Sequence, residues 1–273
     1  MQRVWFVYNA ASGSASRHME AVVAALEAHA HVVGRTDFPG GSLPTIDALR
    51  QAGANMIVVL AGDGTINAVA CRYAAWDGAL LVLAGGTMNL LARTLHGDDA
   101  PATVVERALA APMRLRALPI VQAGDHCAFV GLILGPATSL NRVREALRAG
   151  NAARAWRALR HAWLRIRRRR IRFHELPGYA QAVFVRPDGG TMTVAAVEAR
   201  DWRMVGELGW DWITGDWIGA RAVTQVKRDR LTLAGRRPAR ALFDGEATLL
   251  PPGTVIGLGR SRTMFVATGP EDE

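Results

Sequence analysis

The chain has 273 residues, of which half are hydrophobic and 21% charged. This is a globular composition, long enough for two domains with ordinary cores, and it excludes a disordered chain. The net charge is +9, and among 33 basic residues Lys227 is the only lysine; the arginine bias fits GC-rich coding, while the excess positive charge favours an anionic partner such as nucleic acid, an anionic membrane surface or a phosphorylated substrate.

In chain order, the N-terminal sequence MQRVWFVYN enters a strand at once and shows no signal-peptide anatomy, so a cytoplasmic protein is expected. Residues 3–8 (RVWFVY) read as a buried strand, followed by NAASGSAS and an alanine-rich helix over roughly 16–30. VVGRT at 32–36 adds a strand. Residues 55–60 (NMIVVL) form the next buried strand, followed by AGDGT and a helix over roughly 66–75. Residues 79–84 (ALLVLA) form another, followed by GGTMN and a helix over roughly 88–95. Continuous apolar strands alternating with helices predict a doubly wound parallel α/β domain over 1–118. Cys71 and Cys127 lie in apolar stretches with neither metal spacing nor a disulfide framework, which predicts buried, reduced thiols. The seven histidines form no ligand cluster.

In a parallel sheet, ligands bind at the carboxyl ends of the strands. The three Gly/Ser/Thr-rich loops fall there, each opening a helix whose N-terminal amides and partial positive charge suit phosphate. Asp63, between Gly62 and Gly64, is the odd residue, because a carboxylate is repelled by phosphates unless a cation lies between them. Mg²⁺ prefers oxygen ligands and bridges carboxylates to phosphates. Asp63 is therefore read as holding Mg²⁺ on a nucleotide; a plain tight turn, for which Asp-Gly is a common choice, is the alternative. The P-loop, the dinucleotide G-x-G-x-x-G and the protein-kinase H-R-D motifs are absent.

Beyond residue 118 the texture changes to short strands: LPIVQAG, HCAFVGLI, AQAVFVRP, TMTVAAVEA, AVTQVKRD, RLTLAG, ARALFDG and TVIGLG, divided by turn signals. They predict a mainly antiparallel β-sandwich or barrel over 119–259, interrupted by an Arg-rich helical insertion at 138–172. Twelve arginines and a single acid, Glu145, fall between 142 and 172. Trp156, Leu159, Trp163 and Ile166 make one helical stripe, with Arg154, Arg157, Arg165 and Arg168 largely off it. Arg167 and Arg169 extend the basic run. Such a helix suits an anionic bilayer surface, with Trp156, Trp163, Arg165, Arg167, Arg168 and Arg169 as the contacts; a stripe packed on its own sandwich beneath a solvated Arg face is the alternative. No nucleic-acid recognition motif is present. No uncharged run reaches the roughly 20 residues of a membrane span, so any membrane contact is peripheral.

Four motifs resemble one family. Asn9-Ala10-Ala11-Ser12-Gly13 is similar to the N-P-x-S-G loop of the diacylglycerol kinase catalytic domain, which sphingosine and ceramide kinases share. Ala61-Gly62-Asp63-Gly64-Thr65 resembles its G-G-D-G-T signature, and Gly86-Thr87-Met88-Asn89-Leu90-Leu91-Ala92-Arg93 its G-T-x-N-x-x-A-R. Phe243-Asp244-Gly245-Glu246 matches its D-G-E. The resemblance implies ATP-dependent, Mg²⁺-dependent phosphorylation of a lipid hydroxyl, two domains with the active site in the cleft between them, and a last strand (within 260–273) that returns to the first domain. It places Asn9, Ser12, Gly13 and Thr36 around the nucleotide. Gly62, Asp63, Gly64, Thr65, Gly86, Thr87 and Asn89 would frame the phosphates and metal. It makes Asp244 the general base, with Glu246 an assistant or a solvated strand residue. Two departures stand out: Leu90 where relatives carry Asp or His, and Val205-Gly206-Glu207-Leu208-Gly209 without the acids of a structural metal segment. The expected activity is that of a lipid kinase acting on diacylglycerol, ceramide or a sphingoid base; an NAD kinase-like enzyme and a non-catalytic nucleotide- and membrane-binding regulator are the alternatives.

Overall fold

The structure, a computed structural model, describes residues 1–10, 12–86, 89–110, 112–135, 170–197 and 223–269. The chain divides into two compact units, Met1–Leu118 with Arg260–Glu273, and Pro119–Gly259.

The first unit begins with β1 (Gln2–Tyr8), α1 (Gly13–His29), β2 (Ala30–Asp37), α2 (Ile46–Gln51), β3 (Met56–Ala61) and α3 (Asp63–Arg72). β4 (Ala79–Ala84), α4 (Leu90–His96) and α5 (Pro101–Ala110) come next. Strands pair in parallel in the order β2-β1-β3-β4. Every residue of β3 is buried, as the unbroken apolar run of a sheet covered on both faces requires. One face is packed by α1 and α5, with Ala15, Val22, Leu26, Val104 and Val105 meeting Val4, Phe6, Val58 and Leu81 in a single core. The sequence expects neither α2 nor α5: α2 has six residues, and α5 comes after a Gly-Asp-Asp segment that reads as a loop. α3 starts at Asp63, earlier than expected. Gly62 serves as its N-cap, so the glycine-rich stretch is a helical first turn.

β5 (Arg114–Ala123) carries the chain into the second unit, and β15 (Val255–Ala267) carries it back. On its return β15 pairs in parallel with β4, setting Met264 opposite Ala79 and Phe265 opposite Leu80. Phe265 and Val266 are buried, and the Thr263 hydroxyl donates to the Ala70 carbonyl at 2.9 Å.

The remaining strands are β6 (His126–Ala128), β7 (Leu132–Leu134), β8 (Arg172–Phe173), β9 (Ala182–Asp188), β10 (Thr191–Val197) and β11 (Val223–Arg228). They continue with β12 (Arg230–Ala234), β13 (Ala239–Phe243) and β14 (Glu246–Leu250). Among the described residues one antiparallel sheet runs β11-β10-β9-β7-β13-β14, and β8, β12 and the first half of β15 belong to another. Val183, Val185, Val194, Ala241 and Phe243 from the first sheet share a core with Phe173, Leu231, Leu233 and Ile256 from the second. The second unit is thus a sandwich.

Three expectations are corrected. HCAFVGLI is not one strand: it breaks at Phe129–Gly131, between β6 and β7. The end of the expected helical insertion is extended, because Ile171 bridges to Ala180 and Arg172-Phe173 pairs with β12. The two cysteines are reduced but not both buried. Cys71 is exposed on α3, where its thiol donates to Asn67 Oδ1 at 3.6 Å, and Cys127 is half-buried. Residues 138–169 of the Arg-rich insertion, with Trp156, Trp163, Arg165, Arg167, Arg168 and Arg169, lie outside the described residues, as do Thr87 and 205–209. No helix among the described residues is long and apolar enough to cross a membrane.

His96 closes α4 in a buried position. Its Nδ1 lies 2.9 Å from Thr268 Oγ1, and its Nε2 has no hydrogen-bond partner among the described residues. Burial holds its pKa down to about 4, offset in part by the Val82 carbonyl and the Asp99 charge. The unfolded chain binds this proton near pH 6.5. The stability His96 contributes is therefore complete above pH 6.5 and is lost as the pH falls toward 4, by about 2 kcal/mol at pH 5. Denaturant unfolding should show wild type losing about 2 kcal/mol more than His96→Leu between pH 7.5 and pH 5. Equal losses would refute this.

Candidate active site

The carboxyl ends of the four N-terminal strands line up. Tyr8 is opposite Asp37 on one side and Leu60 on the other, and Leu60 is opposite Leu83. Just past this row come the loops expected to bind phosphate.

The first loop, Asn9–Ser12, is held by the Asn9 amide on the Leu60 carbonyl (3.2 Å) and the Ala10 amide on Asp37 Oδ1 (3.0 Å). Ser12 is the N-cap of α1, yet its hydroxyl donates to the Gly85 carbonyl at 2.6 Å and not to its own helix. That bond ties the first loop to the third. With no side-chain cap and no acid in the first turn, the start of α1 keeps its amides and its positive end for another acceptor.

The second and third loops touch backbone to backbone. A Cβ on Gly85 would lie 2.6 Å from the Ala61 nitrogen, and one on Gly86 2.6 Å from Gly62 Cα. Only glycine fits at these two positions. The third loop then closes on itself: Asn89 accepts from the Gly86 amide (2.6 Å) and donates to the Gly86 carbonyl (3.2 Å). To do so it takes a left-handed conformation, φ +51°, which Asn tolerates better than most residues.

Asp63 stands between these loops. Its Oδ2 accepts from the Leu90 amide at 3.3 Å and its Oδ1 from the Leu91 amide at 3.2 Å. A carboxylate from the first turn of α3 therefore caps the start of α4, which its own N-cap residue Asn89 leaves without a side-chain bond. This is one physical reason for an acid between two glycines. Of the three helix starts, α4 already has its anion, whereas α1 and α3 lack a side-chain cap. Gly64 and Thr65 continue the first turn of α3, half-buried. Thr36 is buried one strand away, with its hydroxyl accepting from the Trp5 indole at 3.0 Å. Asn9, Ser12, Gly62, Asp63, Gly64, Thr65, Gly86 and Asn89 thus gather at one edge of the sheet. Thr36 lies beside them within the sheet.

Metal binding fits one mode. Among the described residues no group of three or more His, Cys, Asp or Glu side chains is placed to hold a metal ion by itself. Mg²⁺ is commonly held by one or two carboxylates together with substrate phosphates, keeping several waters. Asp63, whose two amide contacts are long for hydrogen bonds, matches a single-carboxylate site of that kind.

In the second unit Asp244 and Gly245 form the turn of the β13–β14 hairpin. Phe243 is paired with Glu246, and φ is +47° and +99° at the two central residues. Positive φ at both is the signature of a type I′ turn, for which Asp-Gly is favoured. The Asp244 carboxylate does more than turn the chain. Oδ2 accepts from the Phe129 amide (2.7 Å), and Oδ1 accepts from the amides of Val130 (3.0 Å) and Gly131 (2.8 Å). These three residues are the break between β6 and β7, so the interruption of that strand is the cradle of this carboxylate. Glu246 is exposed. His126, which the sequence does not single out, stacks on Phe243 with ring centroids 5.4 Å apart and lies 3.3 Å from the Thr248 hydroxyl. The sequence also gives no role to Asp37 or to the amides of 129–131; a strand-terminal acid beside a glycine loop is the available signal for the first.

Residues 3–118 match the family model of the diacylglycerol kinase catalytic domain. The fold resembles a crystal structure of a diacylglycerol kinase from Bacillus anthracis str. Sterne, with a TM-score of 0.66 and 16% identity over 98% of this chain and 97% of that one. A second structure, of a candidate diacylglycerol kinase from the same organism, gives a TM-score of 0.64 at 17% identity over 98% and 95%. At this identity the likeness concerns the fold, two units of which the first carries a parallel sheet and the second an antiparallel one. No curated protein matches the chain.

Proposed function

We propose, from the match of residues 3–118 to the diacylglycerol kinase catalytic domain, that the protein is an ATP-dependent lipid kinase transferring the γ-phosphate to a lipid hydroxyl. The observation that carries this reading is the edge of the first sheet, where two uncapped helix starts, three glycines in backbone contact and one carboxylate converge. Phosphoryl transfer asks a protein mainly for positioning and charge stabilisation. The amides at the starts of α1 and α3 and the hydroxyl of Thr65 would bind the phosphates, while the Ser12 hydroxyl, donating to the Gly85 carbonyl, would hold the first and third loops together around them. Asp63 would hold Mg²⁺, which neutralises phosphate charge when bound. Asp244 would orient the acceptor hydroxyl and take its proton as the new O–P bond forms and the bond to the leaving nucleoside diphosphate breaks.

Peripheral contact with an anionic membrane belongs to the same reading. Its support is the run of twelve arginines between 142 and 172.

The test is transfer of label from γ-labelled ATP in the presence of Mg²⁺ to diacylglycerol, ceramide or sphingosine, each in mixed micelles. One labelled lipid is expected, absent with Asp63→Ala. ATP binding without label on any of the three would count against the reading.

A further inference from the structure

We propose that Asp37 binds the ribose hydroxyls of the nucleotide, and so fixes which end of the nucleotide lies over which strand. This rests on the reading of the first unit as an ATP-binding domain. Asp37 is the last residue of β2, at the carboxyl edge where a parallel sheet receives its ligand. It is level with Tyr8, Leu60 and Leu83 across four parallel strands. The order β2-β1-β3-β4 fixes the layout. The carboxylate that would hold the metal and the glycine contact lie over β3 and β4, and Asp37 lies over β2. With strands about 4.8 Å apart, β2 stands about 10 Å from β3 and about 14 Å from β4, a span on the scale of a nucleotide.

The carboxylate is half committed. Oδ1 accepts from the Ala10 amide at 3.0 Å, which fixes the side chain beside the start of α1. Oδ2 has no hydrogen-bond or ion-pair partner among the described residues. Among the described residues no ion pair neutralises the group either; the salt bridges there in this unit use Glu27, Asp47, Asp98 and Asp99. A fixed carboxylate with an open oxygen is an acceptor looking for hydroxyl donors. The two hydroxyls of a ribose, set one sugar and one phosphate away from the metal-bound end, are donors of the required kind. An acid at the end of the second strand of a dinucleotide-binding sheet uses the same principle on the ribose 2′-hydroxyl. The opposite orientation would put the phosphates against an unneutralised carboxylate, with repulsion where attraction is needed.

The test is equilibrium binding of ATP and of 2′-deoxyATP to the full chain, wild type and Asp37→Asn, with Mg²⁺. Asn keeps an oxygen for the Ala10 amide but removes the charge and the second acceptor, and an unchanged unfolding midpoint would show that the loop survives. Wild type is expected to prefer ATP about tenfold, equivalent to 1.4 kcal/mol, and Asp37→Asn to bring the ratio close to one. A purely structural role would weaken both nucleotides together and leave the ratio alone, which would overturn the proposal. Equal affinity of wild type for the two nucleotides would also overturn it. Binding of neither nucleotide would remove the ATP reading itself, and this proposal with it.

Discussion

Asp63→Asn should eliminate phosphate transfer with little loss of stability, whereas Asp63→Ala should eliminate transfer and loosen α4 as well. The two variants separate two duties of one carboxylate. Its hydrogen bonds to the Leu90 and Leu91 amides satisfy two of the four amides that any helix start leaves without an intrahelical partner. Asn offers an oxygen to one of them and so keeps part of the cap. Ala offers none, and losing a cap costs about 1 kcal/mol. On the proposed reading, transfer would depend instead on negative charge, which both replacements remove. A charged group acting directly on a transferring phosphoryl centre is worth at least about 10²-fold in turnover. Turnover and denaturant midpoints for both variants decide the matter. If Asp63→Asn retains most of its activity, the residue is a helix cap and nothing more.

Asp244→Asn should lower turnover by about 10²- to 10⁴-fold, the range of a general base, while leaving ATP affinity within a factor of two or three. Its structural cost can be stated in advance. The carboxylate accepts three amides on two oxygens. An Asn whose oxygen faces Val130 and Gly131 turns its NH₂ toward the Phe129 amide and gives up that third hydrogen bond, at a cost of about 1–3 kcal/mol. The left-handed φ of +47° is acceptable to Asn, so the hairpin turn itself survives. Asp244→Ala strains that φ and abandons all three amides, and it should be clearly less stable than Asp244→Asn. Turnover retained by Asp244→Asn, measured well below its unfolding temperature, would leave the residue with the cradle alone.

The parts of the molecule legible in the sequence are those governed by chain-local rules. The unbroken apolar runs at 56–61 and 79–84 are legible as buried parallel strands, and the glycine loops come directly after them, at the edge where ligands bind. The antiparallel sandwich is legible from short strands and turn signals, and the Asp244-Gly245 hairpin from its turn residues. The rest depends on partners far along the chain. That Asp63 reaches amides 27 and 28 residues away cannot be read from its neighbours. Nor can the break at Phe129–Gly131, because its cause lies more than 110 residues on, in Asp244. The exposure of Cys71 is obscured for a related reason: an apolar stretch in a helix has an outer face, and Cys71 is on it. Asp37 is hidden because an acid at a strand end looks like an ordinary turn residue until the strand order is known.

The return of β15 to the first sheet has a consequence for how the protein is made. The strand beside β4 comes from the far end of the sequence, and its Phe265 and Val266 fill part of the first unit's buried interior. As the chain leaves the ribosome, that sheet must wait with one edge unpaired until residue 267 has emerged. At about 5–20 residues per second, the wait after residue 118 is roughly 7–30 s. The second unit, contiguous from Pro119 to Gly259, is complete before the first. The unit that starts the chain is the one finished last, and a nascent chain arrested before β15 would present the bare flank of β4 to any other strand within reach.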